Sequence, residues 1–297
     1  MTDEYANWSA RDRAPADDEA GLRSALDDPQ PTRRDAALAL VDDADDGLEP
    51  ATVRALDELV REATDDETRQ FAVEALGAAG AGRDAIEAAL ADDEEWVRAE
   101  AVVALSRGFP EATDLLREQL DADDSGWVRR NALIALAKLD VAGEDTFVEC
   151  IKTDPHPAVR EYGAQYLREG SDTERCVRIL AAVLAREPNA FVRVKAAESL
   201  GEFGTDRAQE ALAEFGVQDA SDDVRRTAKQ ALARARGVDP DALELESVAA
   251  PGSGPDTPTD RQQAGPTPDG RPVPHRENGP NRERSGPGRP PSQHTER

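Results

Sequence analysis

A chain of 297 residues is long enough for one large domain or two ordinary ones, with a substantial core. Its 62 acidic and 36 basic residues leave −26 at pH 7, a balance that opposes binding to nucleic acid or to an anionic membrane. Only four of the basic residues are lysine and aromatics make up 4%; this acidic, lysine-poor composition suggests a possible halophile protein, suited to a salt-rich cytosol where screening relieves self-repulsion.

Residues 1–17 (MTDEYANWSARDRAPAD) contain no apolar signal core, and no run of 18 apolar residues occurs anywhere. The expectation is a cytoplasmic protein with an N-terminal arm and no membrane partner. From residue 18 the text repeats when aligned on an arginine: TRRDAALAL, TRQFAVEAL, VRAEAVVAL, VRRNALIAL, VREYGAQYL, VRVKAAESL and VRRTAKQAL. The arginines are Arg33, Arg69, Arg98, Arg129, Arg160, Arg193 and Arg225, spaced by 29 to 36 residues. Seven units of roughly 32 residues follow, each too small to bury its own apolar face.

Each unit reads as two helices. The second carries the arginine and has small or apolar residues at −1, +3, +6 and +7 from it, as in Val97, Ala101, Ala104 and Leu105, one stripe of a 3.6-residue period. Alanine or glycine at +3 allows close approach of neighbouring helices. The first helix shows the stripe more loosely, as in Val177, Leu180, Ala181 and Leu184. Acidic, serine and proline residues precede the second helices, and Gly80, Gly108, Gly170, Gly204 and Gly237 follow them. The pattern predicts an all-α fold, a right-handed solenoid of about seven two-helix repeats over residues 18–236. An acidic connector over 237–250 leads to a tail, 251–297, with 11 prolines, 7 glycines and seven arginines but no aromatic residue. That composition predicts disorder with polyproline-II character.

These residues resemble the HEAT-like repeat of the short phycobilisome-lyase type, which reads roughly D-P-x-x-x-V-R-x-x-A-x-x-A-L-G. Six units place an acid six residues before the arginine: Asp27, Asp92, Asp123, Asp154, Glu187 and Asp219. The resemblance implies that acid and arginine tie the inter-helix turn to the adjacent repeat, so they are kept apart from the binding candidates.

Enzymes are known on this scaffold, but the residues they use are not evident in this sequence. The di-iron site of deoxyhypusine hydroxylase uses repeated His-Glu pairs, whereas here His156, His275 and His294 precede proline, arginine and threonine. Cys150 and Cys176 have no CxxC spacing and no neighbouring histidine, and read as inert thiols. The expectation is therefore no catalytic residue, no metal and no cofactor.

Solenoids of this kind act through their curved surface. Position +5 on the second helices points away from the core stripe, and it is apolar at Val103 and Ile134. The same two units carry Trp96 and Trp127 two residues before the arginine, with Arg130, Asn131 and Tyr162 nearby. Aromatic and arginine anchors around an apolar centre have the composition of a protein interface. These seven residues are the candidate partner-binding set, although both tryptophans could instead pack on the preceding repeat. The expected function is a non-catalytic scaffold or adaptor binding an unidentified protein through its concave surface. The alternative is a lyase-like or chaperone-like carrier of a tetrapyrrole or other small ligand.

Overall fold

The computed structural model describes residues 18–240. The chain separates into two units, Met1–Glu246 and Ser247–Arg297, and all the described residues belong to the first. The N-terminal arm, most of the acidic connector and the Pro/Gly/Arg tail lie outside the described residues.

Among the described residues the structure is helical, in seven successive pairs. These are α1 (Glu19–Ala25) with α2 (Thr32–Asp43), α3 (Pro50–Glu62) with α4 (Asp66–Ala78), α5 (Arg83–Ala89) with α6 (Glu95–Gly108), and α7 (Thr113–Ala122) with α8 (Gly126–Lys138). Then follow α9 (Glu144–Thr153) with α10 (Pro157–Tyr166), α11 (Thr173–Arg186) with α12 (Ala190–Phe203), and α13 (Asp206–Ala211) with α14 (Asp222–Arg236). α13 continues into a π turn, Leu212–Gly216. Of the polar residues expected ahead of the second helices, Ser125 caps α8 by accepting from the Trp127 N–H, whereas α6, α10 and α14 have no side-chain cap; Asp65 accepts from the Thr68 N–H at α4 and Asn189 from Phe191 at α12. Gly204 and Gly237 end α12 and α14 in the left-handed conformation. Gly108 instead closes the last turn of α6, where a Cβ would lie 3.1 Å from the Gly77 carbonyl oxygen.

The second helices form one continuous layer, each packed on the second helix before it and on its own first helix. The first helices of neighbouring repeats make much less contact, least of all from α5 through α11. A layer held close on one side and splayed on the other bends toward the close side, so the second helices line the inner surface. Their burial is wider than the predicted stripe: position +4 is also buried, at Ala37, Val73, Val102, Leu133, Ala164 and Ala197. A second helix is covered by two neighbours and its own partner, so apolar residues occupy more of its circumference than one 3.6-residue stripe. In the seventh repeat this register holds Lys229, half-buried, which makes the outer face of the last described repeat polar.

The repeated arginines form a ladder across the turns. Arg98 donates through Nε and Nη2 to both carboxylate oxygens of Asp123 in the next repeat, at 2.8 and 3.1 Å, and through Nη1 to the carbonyl of Asp92 in its own turn at 2.9 Å. Arg69 with Asp92, Arg129 with Asp154, Arg160 with Glu187 and Arg193 with Asp219 repeat the arrangement, with ion-pair distances of 2.7 to 2.8 Å. Each acid also accepts the backbone N–H two residues on, as Asp154 does from His156 at 2.7 Å. Every rung therefore joins three segments, which is the architectural role the resemblance implied. Burial opposes ionisation of Asp92, Asp154, Glu187 and Asp219, but the guanidinium and N–H hydrogen bonds outweigh it and hold these carboxyls below the ordinary range.

One rung is missing. The position that would receive Arg33 is Ala63, and Arg33 donates only to the carbonyls of Leu26 and Asp27. This joint is held instead by Gln30, bonded to Thr68 at 2.6 Å, and by Arg34, paired with Glu67 at 2.9 Å. The backbone of Ala63 (φ −67°, ψ 130°) already matches that of Asp154 (−68°, 128°) and Glu187 (−67°, 127°). Ala63→Asp is therefore expected to complete the ladder and raise stability by about 1 kcal/mol, measured by urea unfolding. An unchanged midpoint would show that the Gln30 and Arg34 contacts already do the same work.

Candidate partner-binding surface

Positions −2, +2 and +5 from the arginine lie along one stripe of each second helix, on the side away from the core. In α6 this stripe holds Trp96, Glu100 and Val103; in α8 it holds Trp127, Asn131 and Ile134; in α10 it includes Tyr162. Trp96 is 44% and Val103 42% exposed. Trp127, Arg130, Asn131, Ile134 and Tyr162 are half-buried. Leu38 is the exception at +5, being buried in α2.

The aromatic rings run from repeat to repeat. Trp96 stacks on Trp127 with centroids 6.0 Å apart, and the Trp127 ring meets His156 edge-on at 4.9 Å. Gly126 makes that second contact feasible, because a Cβ there would lie 2.1 Å from Cγ of His156. Trp127 is thus packed between two repeats, while Trp96 packs on one side and faces solvent on the other. Arg130 links the row to the next repeat, its guanidinium 5.2 Å from the Trp127 centroid and 5.8 Å from that of Tyr162. It is fixed there by two hydrogen bonds to Asn131 Oδ1, at 3.1 and 2.8 Å. Asn131 in turn donates to the Ala99 carbonyl at 3.0 Å. Five of the seven candidates, Trp96, Trp127, Arg130, Asn131 and Tyr162, are so joined into one chain of contacts, with Val103 and Ile134 one to two turns further along their helices.

Two features escaped the sequence reading. His156, which the sequence marks only as an isolated histidine, is the third ring of the row; no local signal points to it, since the contact depends on Gly126 of another repeat. Glu100 is the second. Burial and the neighbouring Glu74 push its carboxyl up to about 8. An acid whose folded pKa lies above its unfolded value loses folding stability as pH rises from the unfolded value, near 4.5, to the folded one. Glu100→Gln is expected to remove that slope, so that the variant is the more stable form at pH 8 and the difference vanishes below about pH 4. Thermal melts across that range measure it, and a gap independent of pH would contradict the assignment.

Elsewhere Tyr166 is buried against Phe147, with ring centroids 5.7 Å apart. Both cysteines are buried, and burial, helped by nearby carboxylates, pushes Cys150 up to about 12 and Cys176 up to about 11. These thiols stay protonated at neutral pH. No helix among the described residues is long and apolar enough to cross a membrane.

Together these features define an α-solenoid of stacked two-helix repeats whose inner surface carries a mixed aromatic, apolar and cationic row. The chain belongs to the HEAT-repeat family: the family model described as HEAT repeats matches residues 83–146 and 144–233, half of the sequence. Among solved structures, YibA of Escherichia coli is 19% identical, with a TM-score of 0.50 over 75% of this chain and 84% of its own. The complex of CpcE and CpcF of phycocyanin lyase from Nostoc is 20% identical, with a TM-score of 0.42 over 74% of this chain and 88% of that one. Human deoxyhypusine hydroxylase is 21% identical, with a TM-score of 0.36 over 74% and 84%. These likenesses are of fold. A search of curated proteins returned no match.

Proposed function

We propose that the chain is a non-catalytic scaffold or adaptor that binds another protein on the inner surface of its third to fifth repeats. The observation that carries this reading is the row of Trp96, Trp127, Arg130 and Tyr162 beside Val103 and Ile134. It places exposed aromatic and apolar area in the middle of a strongly acidic body. Rings and a guanidinium held by their neighbours lose little side-chain entropy on binding, which favours them as anchors. Recognition is by a preformed surface, and elastic flexing between repeats adjusts the curvature to the partner.

Affinity capture from native cytosol, compared between the full chain and the Val103→Asp/Ile134→Asp variant, tests the reading. Both side chains lie outside the fully buried core, so helicity should be unchanged while a stoichiometric partner is lost. Retention of that partner by the variant would contradict the assignment. A coloured or ligand-loaded preparation that captures no protein would favour the small-molecule carrier instead.

A further inference from the structure

On the opposite side of the solenoid the splaying of the first helices opens a groove of about 660 Å³ between α9 and α11. Its floor is apolar, formed by Ile151 and Val183, each 8% exposed, and by half-buried Ile179. Its rim is basic, with Lys152 from α9 and Arg175, Arg178 and Arg186 from α11. The α11 residues 175, 178, 179, 183 and 186 recur at helical spacing and share one face, while Cys176, Val177, Leu180 and Leu184 point into the core.

Arg175 is already engaged, bonded to Glu144 at 2.8 Å and Asp145 at 2.7 Å. The lining acid, Glu187, belongs to the ladder through Arg160. Lys152, Arg178 and Arg186, all exposed, make no ion pair with the described residues. Three uncompensated cations around an apolar floor are a local inversion of a chain that carries −26 overall. Their spread identifies the ligand class: Arg178 and Arg186 are eight residues apart, about 12 Å along the helix, with Lys152 across the groove. A single phosphate or one fatty-acid headgroup would use one of these charges. An anionic bilayer is repelled by the rest of the acidic surface.

We propose that this groove docks an acidic amphipathic helix of a partner protein. Its apolar ridge lies on Ile151, Ile179 and Val183, and its carboxylates at successive turns meet Lys152, Arg178 and Arg186. The site is independent of the inner-surface row, so the two could be filled at once.

The test uses the full chain and a fluorescein-labelled 15-residue peptide of leucine and glutamate at helical spacing, read by anisotropy at about 0.1 M salt, where charges are only partly screened. Saturable binding is expected, weakened at least tenfold by Arg178→Glu/Arg186→Glu and weakened by molar salt. A control with the same charge change, Arg54→Glu/Arg117→Glu, should stay within twofold, and so should Val103→Asp/Ile134→Asp. Circular dichroism establishes that each variant is folded. The proposal is overturned by absence of saturable binding, by equal loss in the control pair, by equal affinity for the matching lysine peptide, or by binding to phosphatidylglycerol vesicles in place of the peptide.

Discussion

Arg129→Ala is expected to lower the stability of the solenoid by about 3 kcal/mol, in the range for breaking one partner out of a buried ion pair. Arg129 and Asp154 expose only 11% and 9% of their side chains. The guanidinium holds that carboxylate at 2.8 and 2.9 Å and the carbonyls of Asp123 and Asp124 at 2.9 and 3.1 Å. Truncation leaves Asp154 with the His156 N–H and a desolvated charge. Replacing both residues, as Arg129→Ala/Asp154→Ala, should therefore cost less than the two single changes added together. The pH dependence has a definite sign. Asp154 is held below the ordinary carboxyl range, so its contribution is complete above the unfolded value and is lost as pH falls through the folded one. The gap between the native chain and Arg129→Ala should narrow below pH 4 accordingly. Urea unfolding at pH 7 and in acid measures both effects, and a loss under 1 kcal/mol at pH 7 would mean that the rungs are incidental.

Gly77→Val should be at least as damaging, at about 3 kcal/mol or more, because it acts on backbone. A Cβ at Gly77 would stand 2.4 Å from Cβ and 2.5 Å from Cα of Ala104. No rotamer change can relieve that contact, so α4 and α6 must separate along the layer that carries the fold, a severe case of overpacking. Gly201, whose Cβ would lie 2.6 Å from that of Ala231, repeats the arrangement between α12 and α14. Gly143→Ala is the control, since nothing lies within 4 Å of its added carbon, and it should change stability by no more than about 0.5 kcal/mol. Comparable losses at Gly77 and Gly143 would mean that close approach to Ala104 is not what requires the glycine at position 77.

The features legible in the sequence are those that neighbour stacking forces into every copy. The arginine register gave the seven pairs, and the acid six residues earlier marked both the ladder and its gap at Ala63. The outward direction of +5 was legible at Val103 and fails at Leu38. Features that depend on how one repeat meets the next were not legible. Whether an aromatic residue at −2 is covered depends on what the neighbouring repeats put beside it: Trp96 and His156 flank Trp127 on its two sides, whereas Trp96 keeps one face open and Phe191 is 59% exposed. The basic groove could not be read at all, because alignment on the second helices says nothing of how far apart α9 and α11 stand.

The most direct test of the binding surface is site-specific photo-crosslinking. A benzophenone amino acid would replace Val103 on the inner surface in one sample and Glu118 on the exposed side of α7 in another, each in the full chain in native extract at matched salt. The account predicts a stoichiometric protein adduct at 103 and none at 118. An adduct at 118 alone, or none at either, would contradict an inner-surface scaffold.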